Sequence, residues 1–267
     1  MFSLGFIGAG NMAGAIITGI IRKDLFRANE ITIFDIDIEQ SKKLSEGLGV
    51  KPSKTSRDLA ENADTVILAV KPDKIAPVVQ EIKDILRNSL TISIAAGVTI
   101  SSIQSYLGVD SRVIRVMPNA PALVLEGASA FSGSHACRQG DIERARSILG
   151  AIGTCQELDE SLLNAITGLS GSGPAFCFIF MEALADGGVR AGLDRDVALQ
   201  FAATTMKGAA QMVLENHRHP AELKDMVCSP AGTTIEGVHA LESKGMRSAV
   251  MDAIHAAYTR AMELSGT

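Results

Sequence analysis

Ser3-Leu4-Gly5-Phe6-Ile7-Gly8-Ala9-Gly10-Asn11-Met12-Ala13 joins a short apolar run to a glycine-rich bend and then to a helical pattern that continues to Arg22. A bare G-x-G-x-x-A fingerprint is weak, but here it occupies the strand-to-helix junction that dinucleotide binding requires. Gly8 permits the tight turn, Gly10 lets backbone approach a pyrophosphate, and Ala13 is small enough for the helix to lie close on the strand. The alternative is a plain βα turn. Moving outward, Glu30-Ile31-Thr32-Ile33-Phe34-Asp35 reads as a second strand, with Asp35 at its carboxyl end, where an acidic side chain accepts from adenosine ribose hydroxyls. Asp35 would repel a 2′-phosphate, so NADH should bind at least as well as NADPH unless Lys42, Lys43 or Lys54 compensates. The competing reading of Asp35 is a strand-end turn made with Asp37.

Three further apolar runs share one design. Thr65-Val66-Ile67-Leu68-Ala69-Val70 ends in Lys71-Pro72, Thr91 to Ala95 ends in Ala96-Gly97, and Arg112 to Val116 ends in Met117-Pro118-Asn119. Helical spacing of Ile75, Val78, Val79, Ile82 and Leu86, and a shorter run around Ile103 and Leu107, separates them. Strands alternating with helices predict a Rossmann-like, mostly parallel sheet. Ligands of such sheets collect outside the carboxyl ends of the strands, so Ala69, Val70, Lys71, Pro72, Ala96 and Asn119 are expected to face one crevice beside a nicotinamide. Each is also compatible with ordinary turn chemistry. Ala128 to Phe131 and Thr154 to Leu158 close the sheet, with a helix near Asp141 to Leu149 between them.

After about Glu160 the strand signal ends, which predicts an α/β domain over residues 1–160 and an all-helical dimerisation and substrate domain over 161–267. Pro174 suits a first helical turn, the helix from Phe176 stops at Gly192, and Asp194 is placed to cap the next one. In Asp225-Met226-Val227-Cys228-Ser229-Pro230-Ala231-Gly232-Thr233-Thr234, Pro230 and Gly232 interrupt the pattern and the threonines open a new amphipathic run. Bare N–H groups at such a start, with the helix dipole behind them, seat a carboxylate. The plain alternative is a helix capped by Thr233 or Thr234. Roughly a hundred residues of helix, apolar on more than one face, call for a second subunit.

Composition narrows the partners. The 267 residues are 46% hydrophobic and 21% charged, with a formal net charge of −5, which gives no support to a nucleic-acid or acidic-membrane partner. No basic leader follows Met1 and no uninterrupted apolar run reaches about 18 residues, so a soluble, cytoplasmic protein is expected. Cys137, Cys155, Cys177 and Cys228 form no C-x-x-C pair, and His217 and His219 flank Arg218 near a helix end without a third ligand, so no metal is expected.

Gly8 to Ala13, Ala69-Val70-Lys71-Pro72, Met117-Pro118-Asn119-Ala120-Pro121, Gly171-Ser172-Gly173-Pro174-Ala175, Met181-Glu182-Ala183 and Lys224 to Thr234 occur in this order, and with them the whole chain resembles the pyrroline-5-carboxylate reductase family. The resemblance implies a Rossmann-like domain, and a helical domain interlocked with its mate in a homodimer that is often assembled further into a decamer. It implies hydride transfer from NADPH or NADH to the C=N carbon of 1-pyrroline-5-carboxylate, giving L-proline. It places the substrate carboxylate against Ser229 and the backbone of Gly232, Thr233 and Thr234, with the Thr234 hydroxyl near the ring nitrogen as the catalytic contact. The cofactor set is then Gly8, Ala9, Gly10, Asn11, Met12, Asp35, Ser56, Ala69, Val70, Lys71, Pro72, Ala96 and Asn119. Many members that prefer NADPH carry a small or hydroxyl residue where this chain has Asp35.

Two rivals are weighed against this reading. A short-chain 3-hydroxyacid dehydrogenase would need a lysine just after the glycine-rich helix start, where this chain has Pro174-Ala175-Phe176-Cys177-Phe178. A non-catalytic dinucleotide sensor would have little use for a second anion seat.

Overall fold

The computed structural model describes residues 3–266; Met1, Phe2 and Thr267, at the outer ends of the two expected domains, lie outside them. Among the described residues one sheet is built from β1 (Leu4–Ile7), β2 (Ile31–Phe34), β3 (Lys51–Pro52), β4 (Thr65–Leu68), β5 (Leu90–Ser93), β6 (Val113–Met117), β7 (Gly127–Gly133) and β8 (Gly153–Glu157). Their order is β3-β2-β1-β4-β5-β6-β7-β8. The first six are parallel, β7 runs antiparallel to β6, and β8 is parallel to β7. Chain growth reverses direction between β1 and β4, which is where a doubly wound sheet opens its ligand crevice. Register brings the carboxyl ends into one row: Ile7 lies opposite both Phe34 and Leu68, and Leu68 opposite Ser93.

The uniformly apolar strands are explained by burial on both faces. Leu4 and Phe6 join Ile16, Ile17 and Ile20 of α1 (Asn11–Arg22) in one cluster, whereas Ile7, Val66 and Leu68 alternate onto the other face. On that second face they meet α3 (Ser56–Glu61), α4 (Pro72–Glu81), α5 (Lys83–Leu86) and α6 (Ile100–Leu107). Between β2 and α3 runs α2 (Ile38–Leu48), and α7 (Gln139–Gly150) packs beside α1. Complete removal of each such isoleucine from water contributes roughly 1.5–3 kcal/mol.

Everything beyond β8 is helical: α8 (Leu163–Ile166), a π turn (Thr167–Gly171), α9 (Gly173–Arg190), α10 (Arg195–Asn216), α11 (Pro220–Val227), α12 (Thr233–Ser243) and α13 (Met246–Ser265), after one 3₁₀ turn at Glu160–Leu162. The chain forms two compact units, one through Ser172 together with the segment from Ala257 onward, the other Gly173–Ala256. The helical unit's own core cluster is three alanines, Ala185, Ala198 and Ala202, while Phe178, Ile179, Phe201 and Met251 stand more than half exposed. The helical stretch Glu160–Arg190 is long and apolar enough, by length and composition, to cross a bilayer, and only 17% of its most apolar window is buried inside the chain. Glycines and serines between Gly168 and Gly173 break that stretch when it is read residue by residue.

Within the sheet unit, Arg115 is 4% exposed and ties three segments together. Its guanidinium donates to Glu160 Oε1 (3.2 Å) and Asn164 Oδ1 (2.8 Å), while Glu160 Oε1 also accepts from the Ile100 N–H at 2.7 Å. Asn164 in turn donates to Ser265 Oγ at 2.9 Å, which fastens the end of α13. Removing the carboxylate leaves a buried cation with a neutral partner only. Glu160→Ala is expected to cost about 3 kcal/mol of stability, read as a lowered urea midpoint; an unchanged midpoint would show that the pair is not structural.

Candidate active site

The glycine bend is shaped by what surrounds it. Gly8 has φ 105°, and a Cβ there would lie 2.4 Å from the Ala69 carbonyl oxygen, so no side chain fits between the ends of β1 and β4. Its N–H donates to Phe34 O at 2.7 Å, and the Ala69 N–H donates to Ile7 O at 2.8 Å, which locks the bend to both neighbouring strands. Gly10 is the N-cap of α1; no side chain caps it, and a Cβ on it would meet nothing within 4 Å. Among the described residues no side chain answers the first-turn N–H groups of Asn11, Met12 and Ala13, at the positive end of a twelve-residue helix. This is a cradle that fits a pyrophosphate.

The strand-end turn expected of Asp35 is present, and its second oxygen is bound to the glycine bend. Its Oδ1 accepts from the Asp37 N–H at 2.9 Å, the strand-end turn, and its Oδ2 accepts from the Ala9 N–H at 2.7 Å, which draws the carboxylate against the glycine bend. A recess of about 690 Å³ opens beside it, with Ser41, Lys42, Ser53 and Lys54 among its walls. Ser53, which follows the two-residue β3, was not singled out from the sequence because so short a strand leaves no periodic signal.

The remaining predicted cofactor residues divide by exposure. Lys71, Pro72 and Ala96 are exposed and Ala69 and Val70 half-buried, at the carboxyl ends of β4 and β5. Asn119 is committed to structure: Oδ1 accepts from the Ala128 N–H at 2.8 Å, and Nδ2 donates to the Ser170 carbonyl and hydroxyl oxygens at 3.2 Å. Ser56 is 2% exposed and donates to Glu81 Oε1 at 2.6 Å. Any contact made by these two side chains requires those bonds to be shared or exchanged.

In the helical unit, Ser229-Pro230-Ala231-Gly232 is a tight turn closed by the Gly232 N–H on Ser229 O at 3.1 Å, with Ala231 held at φ 54°. Gly232, and neither threonine, is the N-cap of α12, and no side chain closes it. Thr233 is exposed and Thr234 half-buried in the first turn. A Cβ on Gly232 would fall 2.2 Å from Ser229 Oγ, so the glycine brings that hydroxyl against the helix start. By contrast, α2, α3, α6 and α11 are closed by Asp37, Thr55, Thr99 and His219. Asp194 sits at the N-cap of α10 without bonding to it.

Other chemistries find less to work with. His217 is the left-handed C-cap of α10 and His219 Nδ1 accepts from the Ala221 N–H, so both histidines serve helix ends. Among the described residues no group of three or more His, Cys, Asp or Glu is arranged to hold a metal ion. Burial pushes the thiols of Cys137 and Cys155 up, away from the nucleophilic thiolate.

Comparison with known proteins identifies the family. A family profile described as pyrroline-5-carboxylate reductase dimerisation matches residues 160–264, and one described as NADP oxidoreductase coenzyme F420-dependent matches residues 3–97. The pyrroline-5-carboxylate reductase of Methanosarcina acetivorans is 45% identical over 98% of this chain and 97% of its own length. That of Arabidopsis thaliana is 43% identical over 99% and 96%. Among solved structures, the Coxiella burnetii enzyme superposes with a TM-score of 0.94 at 38% identity, covering 100% of this chain and 99% of that one. The Plasmodium falciparum enzyme, solved with NADP bound, gives 0.89 at 29% identity over 99% and 98%. Identity of this extent over the full length, on the same sheet and helical unit, places the chain in the pyrroline-5-carboxylate reductase family.

Proposed function

We infer that the chain carries its family's reaction, NAD(P)H-dependent reduction of the C=N bond of 1-pyrroline-5-carboxylate to L-proline, the last step of proline biosynthesis. The observation that carries the site assignment is the pair of helices, α1 and α12, that open on glycine without a side-chain cap. The first would hold the cofactor pyrophosphate, in a bend formed by Gly8, Ala9, Gly10, Asn11 and Met12. The second would hold the substrate carboxylate on the N–H groups of Thr233 and Thr234, with Ser229 beside them. Residues 1–160 then act as the dinucleotide domain and 161–267 as the substrate and dimerisation domain; the family profile over 160–264 supports this division.

When bound, the reduced nicotinamide supplies the hydride. The protein's task is position. A cyclic imine is protonated more readily than a ketone, and its iminium carbon accepts hydride without a strong acid from the protein, so no buried His or Lys is demanded. Holding the reacting carbons in near-attack contact is worth up to about 7–11 kcal/mol in favourable cases. Thr234 contributes one hydrogen bond to the ring nitrogen, and the dipole of α12 orients the carboxylate.

The exposed apolar side chains of α9, α10 and α13 support a homodimer built through the helical unit; further assembly into a decamer rests on the family resemblance alone. The same contact would cover the apolar helical stretch Glu160–Arg190, so no membrane is required; a cytoplasmic location follows, and no nucleic-acid partner is invoked.

Mixing purified protein with NADH or NADPH and 1-pyrroline-5-carboxylate should lower the absorbance of the reduced nicotinamide, and no fall with either cofactor would refute the activity. Thr234→Ala is expected to lower kcat roughly ten- to hundredfold, while Thr234→Ser keeps most of it; equal rates for wild type and Thr234→Ala would remove Thr234 from the site. Phe201→Asp should shift the sedimenting species from dimer towards monomer, and an unaltered dimer would place the interface elsewhere.

A further inference from the structure

Resting on the dinucleotide reading above, we propose that the recess at the carboxyl end of β2 selects NADH over NADPH, with Asp35 as the selecting residue. The Ala9 and Asp37 N–H groups pin the Asp35 carboxylate at the mouth of the bend, one on each oxygen. Each oxygen keeps acceptor capacity, so a ribose diol, which brings two O–H donors, is complementary to it. A 2′-phosphate brings only acceptors and negative charge. It would meet a carboxylate that cannot turn away without surrendering the Ala9 bond.

The nearest alternative anion seat is already taken. The start of α2 is closed by Asp37, whose Oδ1 accepts from the Glu39 N–H at 3.1 Å, so its dipole is spent on a side chain of this chain. Asp37 and Glu39 add further negative charge, and positions 36–41 supply no cation. Lys42 and Lys54 do line the recess, but Asp35 and Glu46 line it too, so its walls carry no net positive charge to offer a phosphate. Ser41 also lines this recess and is 6% exposed; among the described residues its buried hydroxyl has no hydrogen-bond partner. One neutral hydroxyl does little to offset the charge of a phosphate.

Calorimetric titration of the full-length protein with NADH and with NADPH, in the absence of substrate, tests this without relying on turnover. NADH should bind at least about tenfold more tightly, and the gap should narrow as salt screens the repulsion. Asp35→Asn, whose amide oxygen can still accept from Ala9 but which removes the charge and one acceptor, should tighten NADPH and weaken NADH, moving the ratio of the two affinities toward NADPH by about tenfold or more. Equal or tighter NADPH binding by the wild type would overturn the selection, and so would an Asp35→Asn protein in which both cofactors weaken alike, since that is the signature of a loop tether only. Binding of neither cofactor would instead overturn the dinucleotide reading itself, and the selection with it.

Discussion

The sheet unit depends on one close approach, that of Gly8 to the Ala69 carbonyl. With a Cβ only 2.4 Å from that oxygen, any side chain at position 8 would push β1 and β4 apart at the row where their ends align. These are the two strands between which the sheet reverses its direction of growth, so the same contact keeps the crevice narrow and aims α1 across it. The position also needs φ 105°, which glycine adopts without strain. Sterics and conformation thus demand the same residue. From it follow the N–H bond to Phe34, the position of Ala9 beside Asp35, and the uncapped start of α1.

A second theme is how the chain distributes its helix caps. At α2, α3, α6 and α11 a local side chain answers the first-turn N–H groups, Asp37, Thr55, Thr99 and His219 respectively, whereas α4 and α10 begin without one. At α1 and α12 the cap is glycine and the donors stay unanswered within the chain. Unanswered donors carry a cost in the free protein that a bound anion recovers. The turn before α12 also holds Ala231 in the left-handed region, where a residue with a Cβ is disfavoured.

Much of this was legible because the signals were local. The apolar runs marked β1, β2, β4, β5 and β6, and the glycine bend marked the crevice, since each rests on neighbours in sequence. What escaped was long-range or too short to be periodic. The segment between Asp35 and Asp64 holds β3, α2 and α3, and two-residue and six-residue elements leave no pattern to count. Neither threonine caps α12: Gly232 does, because the preceding turn sets the backbone one residue earlier than cap preference suggests. Asn119 fell at a strand end as expected, yet its side chain and that of Ser56 hold Ala128, Ser170 and Glu81, partners between 9 and 51 residues away that no local reading supplies. Asp35 makes the turn with Asp37 that its sequence position offered, while its bond to the Ala9 N–H, 26 residues away, could not be read locally.

The three-alanine cluster of the helical unit carries a consequence for the life of the protein in a cell. Methyl groups of that size supply little hydrophobic driving force, so a newly made chain that has not met its mate would hold a finished sheet and a loosely organised helical half. Such a half-built molecule is open to proteases, and its abundance would depend on synthesis rate as well as on sequence. Defects in association would then show themselves as missing protein, with the sheet's own stability intact and the antigen gone.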